Sequence, residues 1–401
     1  MKYPLVVLKP KRNASISRKH PWVFSGAIEK IILGESDEGL AEGDLVQICD
    51  HKEKAIAIGH FSENSSIAIR VLSFKSEPID QNFWNEKIKK AYSLRLALGL
   101  AKNESTTSYR LVHAEGDGLP GLIIDIYKEV AVIQAHSLGI VKALDFIKTA
   151  LQNVLGDAIK AIYSKSEKAL HLEESSSTKD EYLYGDTAAP IVVEENGLKF
   201  EIDWINGQKT GFFIDQRESR KLLQEFSSGK KVLNTFCYSG GFSIYALAAD
   251  AAMVHSVDSS ENAIELTERN ISLNFNKDAA HKSFTKDTLK YLNETEERYD
   301  VIILDPPAYA KSRSAMHKAV QGYKRLNEKA LKVINSGGIL FTFSCSQIIQ
   351  RKLFEDTITA AAISAGRTVK VLYHLSQPAD HPVNIFHPEG EYLKGLVLFV
   401  E

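Results

Sequence analysis

Apolar and polar positions divide the chain into three stretches with different periods. From residue 1 to about 75 the apolar positions come in short runs: LVVLK, WVFSGAI, GDLVQICD, AIAIGHF and SIAIRVLSF. Runs of this length, broken by turn residues, predict short strands in a small β-barrel or sandwich. KSEPID, with its proline and charges, marks a boundary. The second stretch, residues 76 to about 190, changes period. Phe83, Ile88, Ala91, Leu94 and Leu98 fall on one helical face. YRLVHAEGDGLPGLIIDIY predicts two strands around a Gly/Pro turn, EVAVIQAHS a third, and GIVKALDFIKTALQNVL an amphipathic helix. SKSEKALHLEESSSTKDEYLYGD is too polar to bury much surface and predicts an exposed loop. The stretch reads as an α+β connecting unit.

From about 191 to 401 strands and helices alternate. KKVLNTF, MVHSVD, HKSFTKD, YDVIILD and GILFTFSCS each precede a helical pattern, and TVKVLYHLS and KGLVLFVE close the chain. Near-continuous apolar strands with helical crossovers predict an α/β fold with a mostly parallel sheet covered on both faces. Such sheets bind ligands beyond the carboxyl ends of their strands, so candidate chemistry belongs there.

Charge changes the picture only locally. The net charge is −2, which excludes a whole-protein field for nucleic acid. Met1 to Ile28 nevertheless contains no Asp or Glu and carries Lys2, Lys9, Lys11, Arg12, Arg18 and Lys19. The first residues lack the pattern of a secretory leader, and no apolar run approaches the ~18 residues of a membrane span; a cytoplasmic location is expected. The three cysteines, Cys49, Cys237 and Cys345, lie far apart and predict free thiols rather than disulfides or a metal site.

Five strand ends carry candidate chemistry. VLNTFCYSGGFS, Val232 to Ser243, is a strand, a glycine turn and a helix start; paired glycines let backbone approach a ligand, though a plain tight turn would use them too. Asp258 ends the next strand, 18 residues beyond Gly240, and suits ribose hydroxyls. It could equally cap the following helix, as could Ser259 or Ser260. Asp287, ahead of Thr288, repeats the pattern. Asp305 precedes Pro306 and Pro307, which rigidify a turn and remove two backbone donors. Cys345 ends the following strand between Ser344 and Ser346. Free cysteine is usually a buried hydrophobe, but this rim is polar. Cys237, inside the glycine loop, suits the packing role.

FCYSGGF, VDSS, LDPPAY and TFSCSQ resemble, in order and spacing, the class I S-adenosylmethionine-dependent methyltransferases. The closer resemblance is to bacterial large-subunit ribosomal RNA cytosine-C5 methyltransferases. It extends through RKHPWVFSGAI, YRLVHAEGDGLPG, GQKTGFFIDQRESR, ADHPV and PEGEYLKG. The resemblance implies a PUA-like RNA-binding domain over 1–75, a connecting domain over 76–190, and a Rossmann-like methyltransferase domain over 191–401 with a seven-stranded sheet. It implies S-adenosyl-L-methionine as cofactor, 23S rRNA as substrate (naked or in a partly assembled subunit), and a homodimer. Asp215, Gln216, Phe236, Tyr238, Ser239, Gly240, Gly241, Asp258, Ser259, Asp287, Thr288 and Asp305 are then expected at the cofactor. Cys345 is expected as the nucleophile and Asp305 as the group that holds the target base. Lys11, Arg12, His20, Trp22, Lys311, Tyr323 and Lys324 are candidates for holding RNA, and His381 is a site candidate by resemblance alone. The helix after Ser346 is expected to lower the Cys345 pKa through its dipole. Ala308 and Tyr309 stand where the family often has Lys-Phe, and no second cysteine follows Pro307. The rival is an exocyclic-amino methyltransferase using Asp-Pro-Pro, which would need no cysteine. An oxidoreductase is disfavoured by the lack of GxGxxG.

Overall fold

In the computed structural model, residues 3–33, 39–63, 65–170, 178–310 and 312–401 are described. The chain forms two compact units, each assembled from separate segments. One is Met1–Ile191 with Ile202–Phe212 and Ala379–Gly390; the other is Val192–Glu201 with Phe213–Pro378 and Glu391–Glu401.

The first unit opens with strands β1 (Leu5–Leu8), β2 (Trp22–Phe24), β3 (Ile28–Ile32), β4 (Leu45–Cys49), β5 (Ala55–Phe61) and β6 (Ile67–Ser73). They form one sheet in the order β2-β6-β5-β4-β1-β3. Val6, Leu8, Val23, Val46, Ile48, Ile69 and Val71 make its core. A second sheet has the order β11-β10-β9-β8-β7, with β7 (Ser108–His113), β8 (Leu122–Tyr127), β9 (Val130–Ala135), β10 (Ala161–Ser164) and β11 (Glu181–Tyr184). The polar stretch expected to be a loop thus contributes a strand, because Glu181–Tyr184 pairs with β10. Residues 171–177 of that expectation lie outside the described residues.

The helix Gln81–Ala97 is capped by Asp80, whose carboxylate accepts from the Phe83 N–H at 3.0 Å. Its buried face is Phe83, Trp84, Ile88, Ala91 and Arg95, whereas Leu94 and Leu98 are exposed. The hydrophobic pattern misplaced this face because an arginine occupies the core position. Arg95 is fully buried and binds Asp117 through two hydrogen bonds, the longer at 2.9 Å. It also donates to the carbonyls of Arg110 and Asp380, each at 2.7 Å. Asp380 in turn accepts from the Arg110 N–H at 3.0 Å. These bonds draw Ala379–Gly390 into the first unit, so this segment departs from an uninterrupted 191–401 domain. His381, buried beside Asp380 with its ring 5.0 Å from that of His113, belongs here too.

The second unit contains the hairpin β12 (Ile191–Glu195) and β13 (Leu198–Ile202), which begins and ends at the unit boundary. Its main sheet comprises β14 (Lys231–Thr235), β15 (Met253–Asp258), β16 (His281–Thr285), β17 (Tyr299–Leu304), β18 (Ile334–Ser344), β19 (Val369–Leu375) and β20 (Lys394–Val400). The order is β16-β15-β14-β17-β18-β20-β19. Pairings are parallel from β16 to β18, while β20 runs antiparallel to both its neighbours. This is the mostly parallel seven-stranded α/β sheet that the alternation predicts. Among the described residues no helix is long and apolar enough to cross a membrane.

Replacing Arg95 with Met would leave Asp117 buried without its cation. We expect a loss of about 3–5 kcal/mol, read as a lower urea midpoint for the first unit.

Candidate active site at the strand ends

Parallel pairing brings the candidate residues to one edge of the second unit. Thr235 pairs with Val257 and Leu304, and Leu304 pairs with Thr342. The residues that leave these strands are therefore Phe236, Asp258, Asp305 and, past Ser344, Cys345.

The loop after β14 is held in a costly backbone shape. Phe236 and Tyr238 have φ of 53° and 48°, and Gly240 has 73°. Non-glycine residues in this region cost about 1–3 kcal/mol each. Several bonds hold them there. The Tyr238 N–H donates to Asp258 Oδ2 at 3.1 Å. The carbonyls of Tyr238 and Ser239 accept from Thr267 Oγ1 at 3.0 Å and Asn270 Nδ2 at 2.9 Å. A Cβ on Gly240 would lie 2.7 Å from Thr267 Cγ2, and one on Gly241 would lie 2.9 Å from Arg220 Cδ. Cys237 is buried with its thiol pushed up to about 12 by burial, which fits packing and not nucleophilic work.

Below the loop, fully buried Glu195 takes both Nε and Nη2 of Arg220 at 2.7 Å and the Tyr245 hydroxyl at 3.0 Å. Arg217 Nε lies 3.6 Å from the same carboxylate. Arg220 also donates to the Phe213 carbonyl at 3.0 Å, fixing the turn that carries Asp215 and Gln216. Sequence reasoning missed Glu195 and Arg220. The signal was available only as an arginine in an otherwise surface-like helical string, RESRKLLQ.

Ser260, not Asp258, caps the helix Glu261–Asn274. Asp258 is spent instead on the loop and on the Ser260 N–H, at 3.0 Å, and Ser259 is exposed. Asp287 does cap its helix, accepting from Lys290 N–H at 2.9 Å, and Thr288 is buried behind it.

At Asp305 the electrostatics are unusual. Gln216 Nε2 donates to Asp305 Oδ2 at 3.0 Å. Burial, then the negative charge of Asp215, push the Asp305 carboxyl up to about 7. Tyr392 Oη donates to Asp215 Oδ2 at 2.7 Å. Asp215 Oδ1 and Gln216 Oε1 are buried with no hydrogen-bond partner. Two orphaned acceptors in one turn are what a donor-rich ligand would satisfy.

Cys345 Sγ lies 4.0 Å from the Pro306 carbonyl oxygen, so thiol and Asp-Pro-Pro turn are neighbours. Burial first, then Asp305 and Asp215, push its thiol up to about 11. The expected help from a helix dipole is not there: the next helix begins at Arg351, and Cys345 lies well ahead of it. Ser344 Oγ donates to Tyr323 Oη at 3.0 Å, and Ser346 Oγ to the Ala310 carbonyl at 2.8 Å.

The RNA candidates divide. Lys11 and Arg12 are exposed. His20 and Trp22 are half-buried; Trp22 Nε1 donates to Glu115 at 2.9 Å, and its ring packs 4.3 Å from that of His387. Lys324 is half-buried. Tyr323 is fully buried among the helices, which removes it as an RNA contact; the helical period hid this because Tyr323 faces β18. Lys311 lies outside the described residues.

Comparisons with known proteins place the chain in a family. A family of S-adenosylmethionine-dependent methyltransferases matches residues 110–384, and a PUA-like domain family matches residues 6–74. Fold and family matches therefore define an S-adenosylmethionine-dependent methyltransferase with an N-terminal PUA-like domain. Ribosomal RNA large subunit methyltransferase I of Aeromonas hydrophila is 40% identical over 98% of both chains. That of Shewanella frigidimarina is 38% identical, again over 98% of each. The chain belongs to the ribosomal RNA large subunit methyltransferase I family. Among solved structures, a Streptococcus mutans chain provisionally described as a methyltransferase of this kind gives a TM-score of 0.83 at 21% identity, covering 100% of both chains. A second solved structure, likewise described only provisionally as a methyltransferase and complexed with SAH, gives 0.84 at 21% identity over 100% of both. These two likenesses bear on the fold.

The raised Asp305 pKa has a sign for stability. An unfolded carboxyl ionises near 3.8, whereas the folded one holds its proton to about 7. Ionisation therefore opposes folding progressively from about pH 4 to 7. Asp305→Asn should stabilise the protein relative to wild type by up to about 1 kcal/mol per pH unit across that window, levelling off above 7. Urea titrations at pH 4, 5.5 and 8 measure it; a gain independent of pH would refute it.

Proposed function

We propose that this protein transfers a methyl group from S-adenosylmethionine to C5 of a cytosine in 23S rRNA, through a covalent Cys345–C6 adduct. The observation that carries the reading is the adjacency of the Cys345 thiol and the Asp305-Pro306-Pro307 turn at one strand edge. The residues present fit the cofactor. The strained Phe236–Gly241 loop brings backbone close, Asp258 stands at the end of β15 for a ribose, and the orphaned acceptors of Asp215 and Gln216 await donors. Ser259, Asp287 and Thr288 extend the same rim. When bound, S-adenosylmethionine supplies an electrophilic methyl group.

C5 of cytosine is a poor nucleophile. Addition of the Cys345 sulfur to C6 breaks the C5–C6 double bond and makes C5 enamine-like, so one hard step becomes two easier ones. Asp305, retaining its proton to about pH 7, can donate to the ring at N3 as charge develops there. After methylation the C5 proton passes to water, its bonding pair re-forms the C5–C6 double bond, and the C6–S bond breaks with its pair returning to the sulfur of Cys345.

In this reading residues 1–75 form the RNA-binding PUA-like domain, 76–190 the connecting domain and 191–401 the catalytic domain, save the returning segments. Lys11, Arg12, His20, Trp22, Lys311 and Lys324 are the RNA contacts. The target base must come from a loop or leave its stack. The protein acts in the cytoplasm as a homodimer.

The test incubates wild-type and Cys345→Ala protein with methyl-labelled S-adenosylmethionine and unmodified 23S rRNA, then identifies the labelled nucleoside. We expect 5-methylcytidine from wild type and at least about a thousandfold loss in the variant. Label on an exocyclic nitrogen, or an active variant, would replace this reading with amino methylation.

A further inference from the structure

We infer that the Lys394 side chain is the counter-charge of the Cys345 thiolate, a positioning residue that acts on methyl transfer through the cysteine. The inference rests on the covalent reading above.

Lys394 begins β20 and pairs with Ser344, the last residue of β18, across the antiparallel ladder. Register thus sets it opposite the strand end that presents Cys345. It is only 3% exposed. Its Nζ donates to the Ser346 carbonyl at 2.7 Å, which holds the amine against the Ser344–Ser346 turn. Lysines are rarely buried so completely without a carboxylate partner. Among the described residues none lies within ion-pair distance of Lys394. The nearby Glu391 is engaged by Arg351 at 2.7 Å.

The groups that face the pair can be named. Asp305 and Asp215 both oppose ionisation of Cys345, and Lys394 favours it. Lys394 itself faces Cys345, Glu391 and Arg351. Burial brings its pKa down to about 8, so the cation is present at neutral pH and is lost above about 8. Formation of the nucleophile is then an acid dissociation. The S–H bond breaks, its electron pair stays on sulfur, the proton passes to water, and the adjacent ammonium offsets the new negative charge. A purely structural lysine would only hold the turn through its bond to Ser346.

The test follows the rate at which iodoacetamide alkylates Cys345 in the full-length protein as a function of pH. Peptide mass mapping separates Cys345 from the buried Cys49 and Cys237. Lys394→Met removes charge and donor together; Lys394→Gln removes the charge and keeps a donor for the turn. We expect either folded variant to slow alkylation about tenfold at pH 7, where Lys394 is charged, and the difference from wild type to fade above about pH 8 as wild type loses the cation. Lys394→Arg should keep the wild-type rate at pH 7. An unchanged rate at pH 7 in the Gln or Met variant overturns the inference even where Cys345→Ala abolishes transfer. A slowed rate supports it when Cys345→Ala is inactive. A slowed rate alongside an active Cys345→Ala protein removes the covalent reading and, with it, the catalytic role of the pair.

Discussion

In-register parallel pairing of β14, β15, β17 and β18 is the constraint on which the rest of this molecule depends. Parallel strands need helical crossovers, and crossovers return each strand in the same direction. Every carboxyl end therefore falls on one edge. Thr235, Val257, Leu304 and Thr342 occupy neighbouring rungs, so the side chains just beyond them converge without any long-range recognition of their own. A slip of one residue in any pairing would turn those side chains to the wrong face.

The edge so formed is electrostatically strained. The charge of Asp215 opposes ionisation of Asp305, and both carboxyls oppose ionisation of Cys345. Desolvation works in the same direction. A carboxyl that keeps its proton near neutrality can donate a hydrogen bond, which an ordinary surface aspartate cannot. In the covalent reading a thiol held neutral by its surroundings gains from a nearby cation, and Lys394 pairs across the ladder with Ser344, the residue before Cys345. The cost of these arrangements is met elsewhere in the unit, where the Glu195–Arg220 pair and the Thr267 and Asn270 bonds hold the loop and the Phe213–Gln216 turn in place.

The first unit uses buried charge differently. Arg95 sits where an apolar residue would be expected and gathers Asp117, Arg110 and Asp380 around one guanidinium. A planar cation with donors on both edges can bind three segments at once, which a leucine cannot. The result is a directional tie that brings a late stretch of chain, Ala379–Gly390, into a unit made mostly of early sequence.

The sequence by itself determined most element types, the mostly parallel sheet and which residues end its strands, because strand periodicity and strand-end chemistry are local properties. Asp258, Asp305 and Cys345 were legible for that reason. It also carried the family resemblance, in strings such as TFSCSQ and LDPPAY. Only the tertiary structure decided the outward turn of Leu94 and Leu98, the burial of Tyr323, and the strand in a stretch that composition marks as a loop. The same holds for the return of Ala379–Gly390 and the arrival of Tyr392 and Lys394 at the edge that carries Asp305 and Cys345. Each depends on contacts between residues far apart in the chain. Hydrophobic period reports how a residue relates to its near neighbours, whereas a buried ion pair or a desolvated lysine is defined by partners that only folding brings within reach.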